Sequence, residues 1–242
     1  MKYLLVLMIF LSVAVNPITA QSSSDKFFTV ETESDNDLDT NQNRKKHRGN
    51  WQGFDFGVAM LNGKQSEYLK PSLSFSYNIF DWKFLFRNST KLGVTTGLGI
   101  STNAFLLSKS TNFNFDNDSV WTSPSLVGNY KNNSFSSLYL NIPFLVDFNQ
   151  TKSDSTKGIY FVAGVVSRIN LFNDWNTYSK LENGNYSTDL TGRFNMNWIN
   201  VDATIRAGYK HVGFYATYGL VPMFNQTKTS NIFTAGISLT FK

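Results

Sequence analysis

Asn197–Lys242 reads NWINVDATIRAGY, KHV, GFYATYGLVPMF, NQTKTS and NIFTAGISLTFK. Three alternating runs are separated by short polar turns. In the first run Ile199, Val201, Ala203, Ile205, Ala207 and Tyr209 fall on one face, and Trp198, Asn200, Asp202, Thr204, Arg206 and Gly208 on the other. In the last, Phe233, Ala235, Ile237, Leu239 and Phe241 alternate with Thr234, Gly236, Ser238 and Thr240. A period of two marks extended strand, because successive side chains point to opposite faces. One apolar face set against a face carrying Asp and Arg is the pattern of a membrane β-barrel, with lipid outside and a polar lumen inside.

Working back from this stretch, the same alternation recurs. Phe54, Phe56, Val58 and Met60 oppose Gly53, Asp55, Gly57 and Ala59. Leu69, Pro71, Leu73, Phe75, Tyr77 and Ile79 oppose Ser72, Ser74, Ser76 and Asn78; the apolar phase then moves to Phe80, Trp82, Phe84 and Phe86, which predicts a β-bulge near Phe80. Leu92 to Ile100 carries Gly93, Thr95, Gly97 and Gly99 on its inward face, where glycine leaves room in a narrow lumen. Leu138, Leu140, Ile142, Phe144, Val146 and Phe148 face out against Tyr139, Asn141, Leu145 and Asp147. The fifth run, Ile159 to Leu171, puts Phe161, Ala163, Val165 and Ile169 out and Tyr160, Gly164 and Arg168 in. With the final three, this predicts an all-β, eight-stranded antiparallel transmembrane β-barrel over 51–242, a monomer with up-and-down order.

An even strand number places both termini on one side, the periplasmic one. The connections 62–68, 107–135, 173–194 and 223–230 are then extracellular, and 87–91 (with Asn88–Ser89–Thr90 as its turn), 149–157 and 210–212 periplasmic. The two longest both fall outside. The aromatic Phe241 before Lys242 suits the periplasmic girdle and resembles the terminal signal read by barrel-assembly machinery. A soluble lipocalin-like barrel also has eight strands, but it would bury Asp55, Asp147, Arg168, Asp202 and Arg206 in an apolar core at high cost.

Ahead of the barrel, residues 1–20 read as a secretory signal peptide, with Lys2, an apolar run from Leu4 to Val15, and a cleavage site after Ala20. Residues 21–50 are polar and aperiodic, with an acidic stretch (Glu31, Glu33, Asp35, Asp37, Asp39) and a basic one (Arg44, Lys45, Lys46, His47, Arg48), and read as a disordered periplasmic linker whose basic end could touch anionic headgroups or a partner. The localisation expected is the outer membrane of a Gram-negative bacterium.

Composition agrees. The chain has 242 residues and no cysteine, which excludes disulfides, cysteine-ligated metal and a lipoprotein anchor. Aromatics are 16%, while mean hydropathy is only −0.23, as expected when half of each strand faces a polar interior. A net charge of +5 without a basic patch argues against nucleic acid.

Several segments together resemble the PorT-like outer-membrane β-barrel proteins of Bacteroidetes over roughly 45–242: the basic run leading to Trp51-x-Gly53-x-x-x-Gly57, Gly93-x-x-x-Gly97-Leu98-Gly99, Ser137-Leu138-Tyr139-Leu140-Asn141-Ile142-Pro143, and Tyr218-Gly219-Leu220-Val221-Pro222-Met223-Phe224 before the Gly-Ile-Ser-Leu-Thr-Phe end. The resemblance implies an eight-stranded outer-membrane barrel. The family's named member assists a secretion system, and no residue here carries that role over.

Chemistry is sparse. The two histidines, His47 and His211, fall in the linker and a periplasmic turn, away from any paired nucleophile. No His/Asp/Glu cluster has metal-ligand spacing, no cofactor motif is visible, and Gly93–Gly99 lies within a strand. The expectation is a non-enzymatic barrel without cofactor, in a structural or surface-binding role. The alternatives are an accessory subunit of a secretion or envelope machine acting through its periplasmic side, and less favoured, a small channel or a lipid-modifying enzyme. Expected partners are outer-membrane lipid and lipopolysaccharide, barrel-assembly machinery during insertion, and an envelope protein.

The candidate site is a luminal charge network of Asp55, Asp147, Arg168, Asp202 and Arg206, read either as a selectivity ring or as a salt-bridge network that plugs the lumen, which eight strands leave just wide enough for side chains. Phe113, Phe115, Trp121, Tyr130, Trp175, Tyr178 and Tyr186 in the two long connections are candidates either for binding anchors or for the outer aromatic girdle.

Overall fold

The computed structural model describes residues 49–62, 69–86, 91–108, 111–115, 120–124, 130–150, 158–181, 184–225 and 230–241. The signal peptide, the linker up to Arg48 with His47, and the Asn88–Ser89–Thr90 turn lie outside them.

Eight strands close a barrel: β1 (Gly53–Asn62), β2 (Leu69–Leu85), β3 (Leu92–Leu107), β6 (Asn132–Asn149), β7 (Ile159–Leu181), β9 (Ile199–Tyr209), β10 (Val212–Gly219) and β11 (Asn231–Thr240). Neighbours in the chain are neighbours in the sheet, all antiparallel. β11 returns to β1 in unbroken register from Gly53↔Thr240 to Asn62↔Asn231, so the barrel has no free edge there. Three further strands lie in the long connections. β4 (Thr111–Phe115) and β5 (Val120–Pro124) form a separate hairpin, and β8 (Gly184–Thr191) pairs with the far half of β7.

The expected bulge is present: the β2–β3 register shifts between Asn78 and Phe80. Before it Ser72, Ser74 and Asn78 point inward; after it Asp81 and Lys83 do. Another shift, between Leu138 and Tyr139, leaves Leu171 without a partner on β6, so that Leu138 faces Phe172 and Tyr139 faces Asn170. It rephases β7 and turns Asn173, Trp175 and Thr177 into the interior.

Several expected connections are corrected. β3 runs on to Leu107, β6 begins at Asn132, and β4 and β5 lie between them, within the 107–135 stretch whose composition predicts loop. β7 continues to Leu181 and β8 occupies much of 173–194. The polar residues that suggested loop are the outward faces of strands that extend past the apolar belt: Ser134 and Ser136 continue the outward line of Leu138 and Leu140. In the other direction, β10 stops at Gly219 rather than near Phe224, because Met223 and Phe224 leave the wall and turn inward. The barrel is therefore lopsided. β1, β9, β10 and β11 have 10, 11, 8 and 10 residues, close to one tilted bilayer crossing, whereas β2, β3, β6 and β7 have 17, 16, 18 and 23. The short turns, including Lys210–His211, gather at one end, and the long connections at the other.

Candidate functional site: a charged lumen closed at both ends

The registers explain which side chains meet. One row around the wall runs Gly57, Gly236, Tyr215, Arg206, Val162, Asp147 and Gly93. Glycines occupy the places beside the large and charged members, and so make room for them in a lumen this narrow.

All five expected residues point inward, but they form separate pairs instead of one ring. Arg206 grips Asp55 with both terminal nitrogens, Nη1–Oδ1 3.0 Å and Nη2–Oδ2 2.6 Å, with both side chains 2% exposed. Asn78 donates to Asp55 Oδ2 at 2.9 Å. Arg168 contacts Asp202 through Nε at 2.9 Å and Nη2 at 3.2 Å. Asp202 and Arg206, four apart on β9, do not pair with one another: Arg206 reaches across the lumen to Asp55 on β1, and Asp202 pairs with Arg168 on the neighbouring strand β7. Asp147 pairs with a residue the sequence reading passed over: Lys83 Nζ lies 2.9 Å from its Oδ1. The bulge at Phe80 was the available signal, since the phase that puts Trp82 and Phe84 outside puts Asp81 and Lys83 inside.

The guanidinium groups also stack. Arg206 sits 4.2 Å from the Trp51 ring centroid and 5.5 Å from that of Tyr215, and Arg168 sits 4.7 Å from that of Tyr139. Such contacts contribute on the order of 1–2 kcal/mol when desolvated. A bidentate contact plus an aromatic face satisfies most of what a buried guanidinium loses on leaving water.

The chain ahead of β1 fills the short-turn end. Gly49 and Asn50, the last residues of the stretch read as linker, and Trp51, read as the start of the first strand, lie inside the barrel mouth. Asp81 holds them by their backbone: the N–H groups of Gly49, Trp51 and Gln52 donate to its carboxylate at 3.0, 2.9 and 3.0 Å. Asp147 holds Asn50 through the backbone N–H at 2.8 Å and Nδ2 at 2.7 Å, and also accepts from Thr95 at 3.2 Å. Gly49 passes so close to β3 that a Cβ there would sit 2.5 Å from the Thr95 methyl. Gly53 then turns into β1 at φ 144, a conformation suited to glycine. Trp51 packs with Leu145, Tyr160, Val162 and Val166.

The long-connection end is closed differently, by an apolar cap. Ala59, Leu61, Phe105, Leu107, Phe135 and Trp175 from the wall pack against Met196, Met223 and Phe224 from two connections. Those connections are tied together, since Asn197 N–H donates to Met223 O at 3.0 Å and Asn225 N–H to Asn195 O at 2.8 Å; within the second, Met223 N–H donates to Ser230 O at 2.7 Å. The aromatic candidates of the long connections divide accordingly. Trp175 is neither an exposed anchor nor a girdle residue; it is buried, with Nε1 donating to Asn133 at 3.0 Å, and Tyr130 is buried too. Tyr178 is half-buried. The side chains of Phe113, Phe115, Trp121 and Tyr186 lie outside the described residues.

Between plug and cap, a void of about 30 Å³ lies against Asp55, Arg168, Asp202 and Arg206, room for one or two waters. Among the described residues the luminal charges are drawn into opposite-sign pairs, Arg206–Asp55, Arg168–Asp202 and Lys83–Asp147. Among the described residues no group of three or more His, Asp or Glu is placed to hold a metal ion.

Comparison of the chain with family models, with curated proteins and with solved structures finds no match. The reading of function therefore rests on the barrel's own faces.

Proposed function

We propose that this chain is a non-enzymatic outer-membrane β-barrel, sealed along its axis, that serves a structural or surface-binding role. One observation carries the proposal: the barrel is inside out relative to a soluble protein. Leu73 is 75% exposed, Phe214 70%, Phe84 62% and Ile205 55%, and they belong to a belt that also includes Phe56, Phe144, Phe161 and Ile237. Arg206, Asp55, Asp202 and Asp147 are at most 3% exposed. Water penalises such an exterior, and a lipocalin-like barrel would reverse both faces. Lipid removes the penalty, and a closed barrel satisfies its backbone without water. The PorT-like resemblance supports the same reading.

Fractionation tests it. The protein is expected in the outer-membrane fraction, extracted by detergent and not by high-salt or alkaline washing, and to migrate faster unboiled than boiled. Recovery in the soluble periplasm would contradict it.

The second reading, an accessory subunit of an envelope machine, is favoured by the plug: Gly49–Gln52 is anchored in the short-turn mouth. Deleting residues 21–46 is expected to remove co-purifying envelope proteins on this reading and to leave them bound on the first.

A further inference from the structure

We infer a binding site for an anionic glycerophospholipid of the periplasmic leaflet on the outer face of β7, β9 and β10, beside the Lys210–His211 turn. The inference rests on the membrane reading above and adds a specific ligand to it. Most of the belt is built of large residues, but Ala207 on β9 is small and sits between two large neighbours: the ladders pair it with Phe161 on β7 and Phe214 on β10. Two residues along, towards the turn, Tyr209 sits between Ile159 and Val212. The result is a furrow of about 720 Å³ in which Ile159, Tyr209, Val212 and Phe214 surround Ala207, and which Lys210 and His211 bound at the turn.

The cation is placed for a phosphate. Lys210 takes the left-handed conformation of a tight turn, φ 54, and its Nζ lies 5.1 Å from the Tyr209 ring centroid. The ammonium is thereby drawn over the face of the barrel at the rim of the furrow. His211 is held by the wall, with Nδ1 3.0 Å from Thr240 O. An acyl chain laid over Ala207 between Phe161 and Phe214 buries apolar surface on both sides, and the phosphate at its head meets Lys210 at the depth where interfacial lysines reach headgroups. A peptide helix or second barrel would need a broader flat face than this single-strand furrow provides.

Native mass spectrometry of the full detergent-extracted protein, with phosphatidylglycerol as probe, tests the site. Wild type is expected to retain one lipid. Lys210→Asn removes the charge while keeping a residue tolerant of positive φ, and is expected to lower retention about fivefold, the worth of one interfacial cation. Ala207→Phe fills the furrow and is expected to lower it at least as much, with Lys131→Asn, exposed at the opposite end of the barrel, unchanged. Equal retention in all variants, or an equal loss in Lys131→Asn, would overturn the site. Electrophoresis of the same samples with and without boiling, after membrane fractionation, separates the two readings: a heat-modifiable membrane protein with unaltered lipid retention overturns the lipid site alone, while a protein extracted without detergent overturns the membrane reading with it.

Discussion

Replacing Arg206 by Met is expected to destabilise the barrel by about 3–5 kcal/mol, because it leaves the Asp55 carboxylate buried without its counter-charge. Asp55 would keep the Asn78 amide, at 2.9 Å, but lose both short guanidinium contacts. Trp51 would lose the cation over its ring, which loosens the plug. The double variant Arg206→Met with Asp55→Asn is expected to recover most of the loss, since a buried ion pair replaced as a unit is often close to neutral. Urea-induced unfolding in lipid vesicles measures both. A single variant as stable as wild type would mean that the pair is hydrated and the lumen open to water.

The second large effect concerns the other face. Ile205 sits on the outer wall between Ala163 and Ala216, 55% exposed to the surroundings. Ile205→Arg is expected to cost about 2–4 kcal/mol if that face lies in the hydrocarbon core, the value for Arg near the midplane of a membrane barrel. On a water-exposed surface the same change would fall within about 0.5 kcal/mol of neutral. The two readings of the barrel thus differ by several kcal/mol at one position, in the same unfolding assay.

Much of the fold was legible because a strand buried on one side writes a period of two into the chain. Phe233 to Phe241, Leu138 to Phe148 and the phase shift at Phe80 all read directly into wall, register and bulge. Legibility failed where polarity stopped distinguishing wall from loop. Above the apolar belt the outward positions of β6 are Ser134 and Ser136, so a strand projecting into water has the composition of a loop. The bulge beside Leu171 changes the phase of β7 with no apolar pattern beyond it to report the change, so the sequence reads as loop from 173 on and offers Trp175 as an anchor or girdle residue.

The candidate site was half legible. Inward charge at Asp55, Asp147, Arg168, Asp202 and Arg206 follows from alternation. Partner choice does not, because it depends on how far each strand is sheared against the next, and that shear set Arg206 against Asp55 instead of Asp202. The plug was the larger omission. Gly49–Gln52 has no periodicity, and its contacts with Asp81 are made by backbone N–H groups, which leave no trace in side-chain pattern; the trace is on the receiving side, in Asp81, an acid that the bulge at Phe80 directs into the lumen.

With the apolar face against lipid and the charges and plug facing inward, the tryptophans divide sharply by their access to lipid. Trp82 is 48% exposed on the outside; Trp198, which alternation assigns to the inward row, precedes β9 and is instead 61% exposed; Trp51 is 3% exposed within the mouth. In single-tryptophan variants reconstituted into brominated-lipid vesicles, Trp82 and Trp198 are expected to be quenched strongly and Trp51 little. Strong quenching of Trp51 with Trp82 and Trp198 unaffected would place lipid on the wrong face and contradict the account.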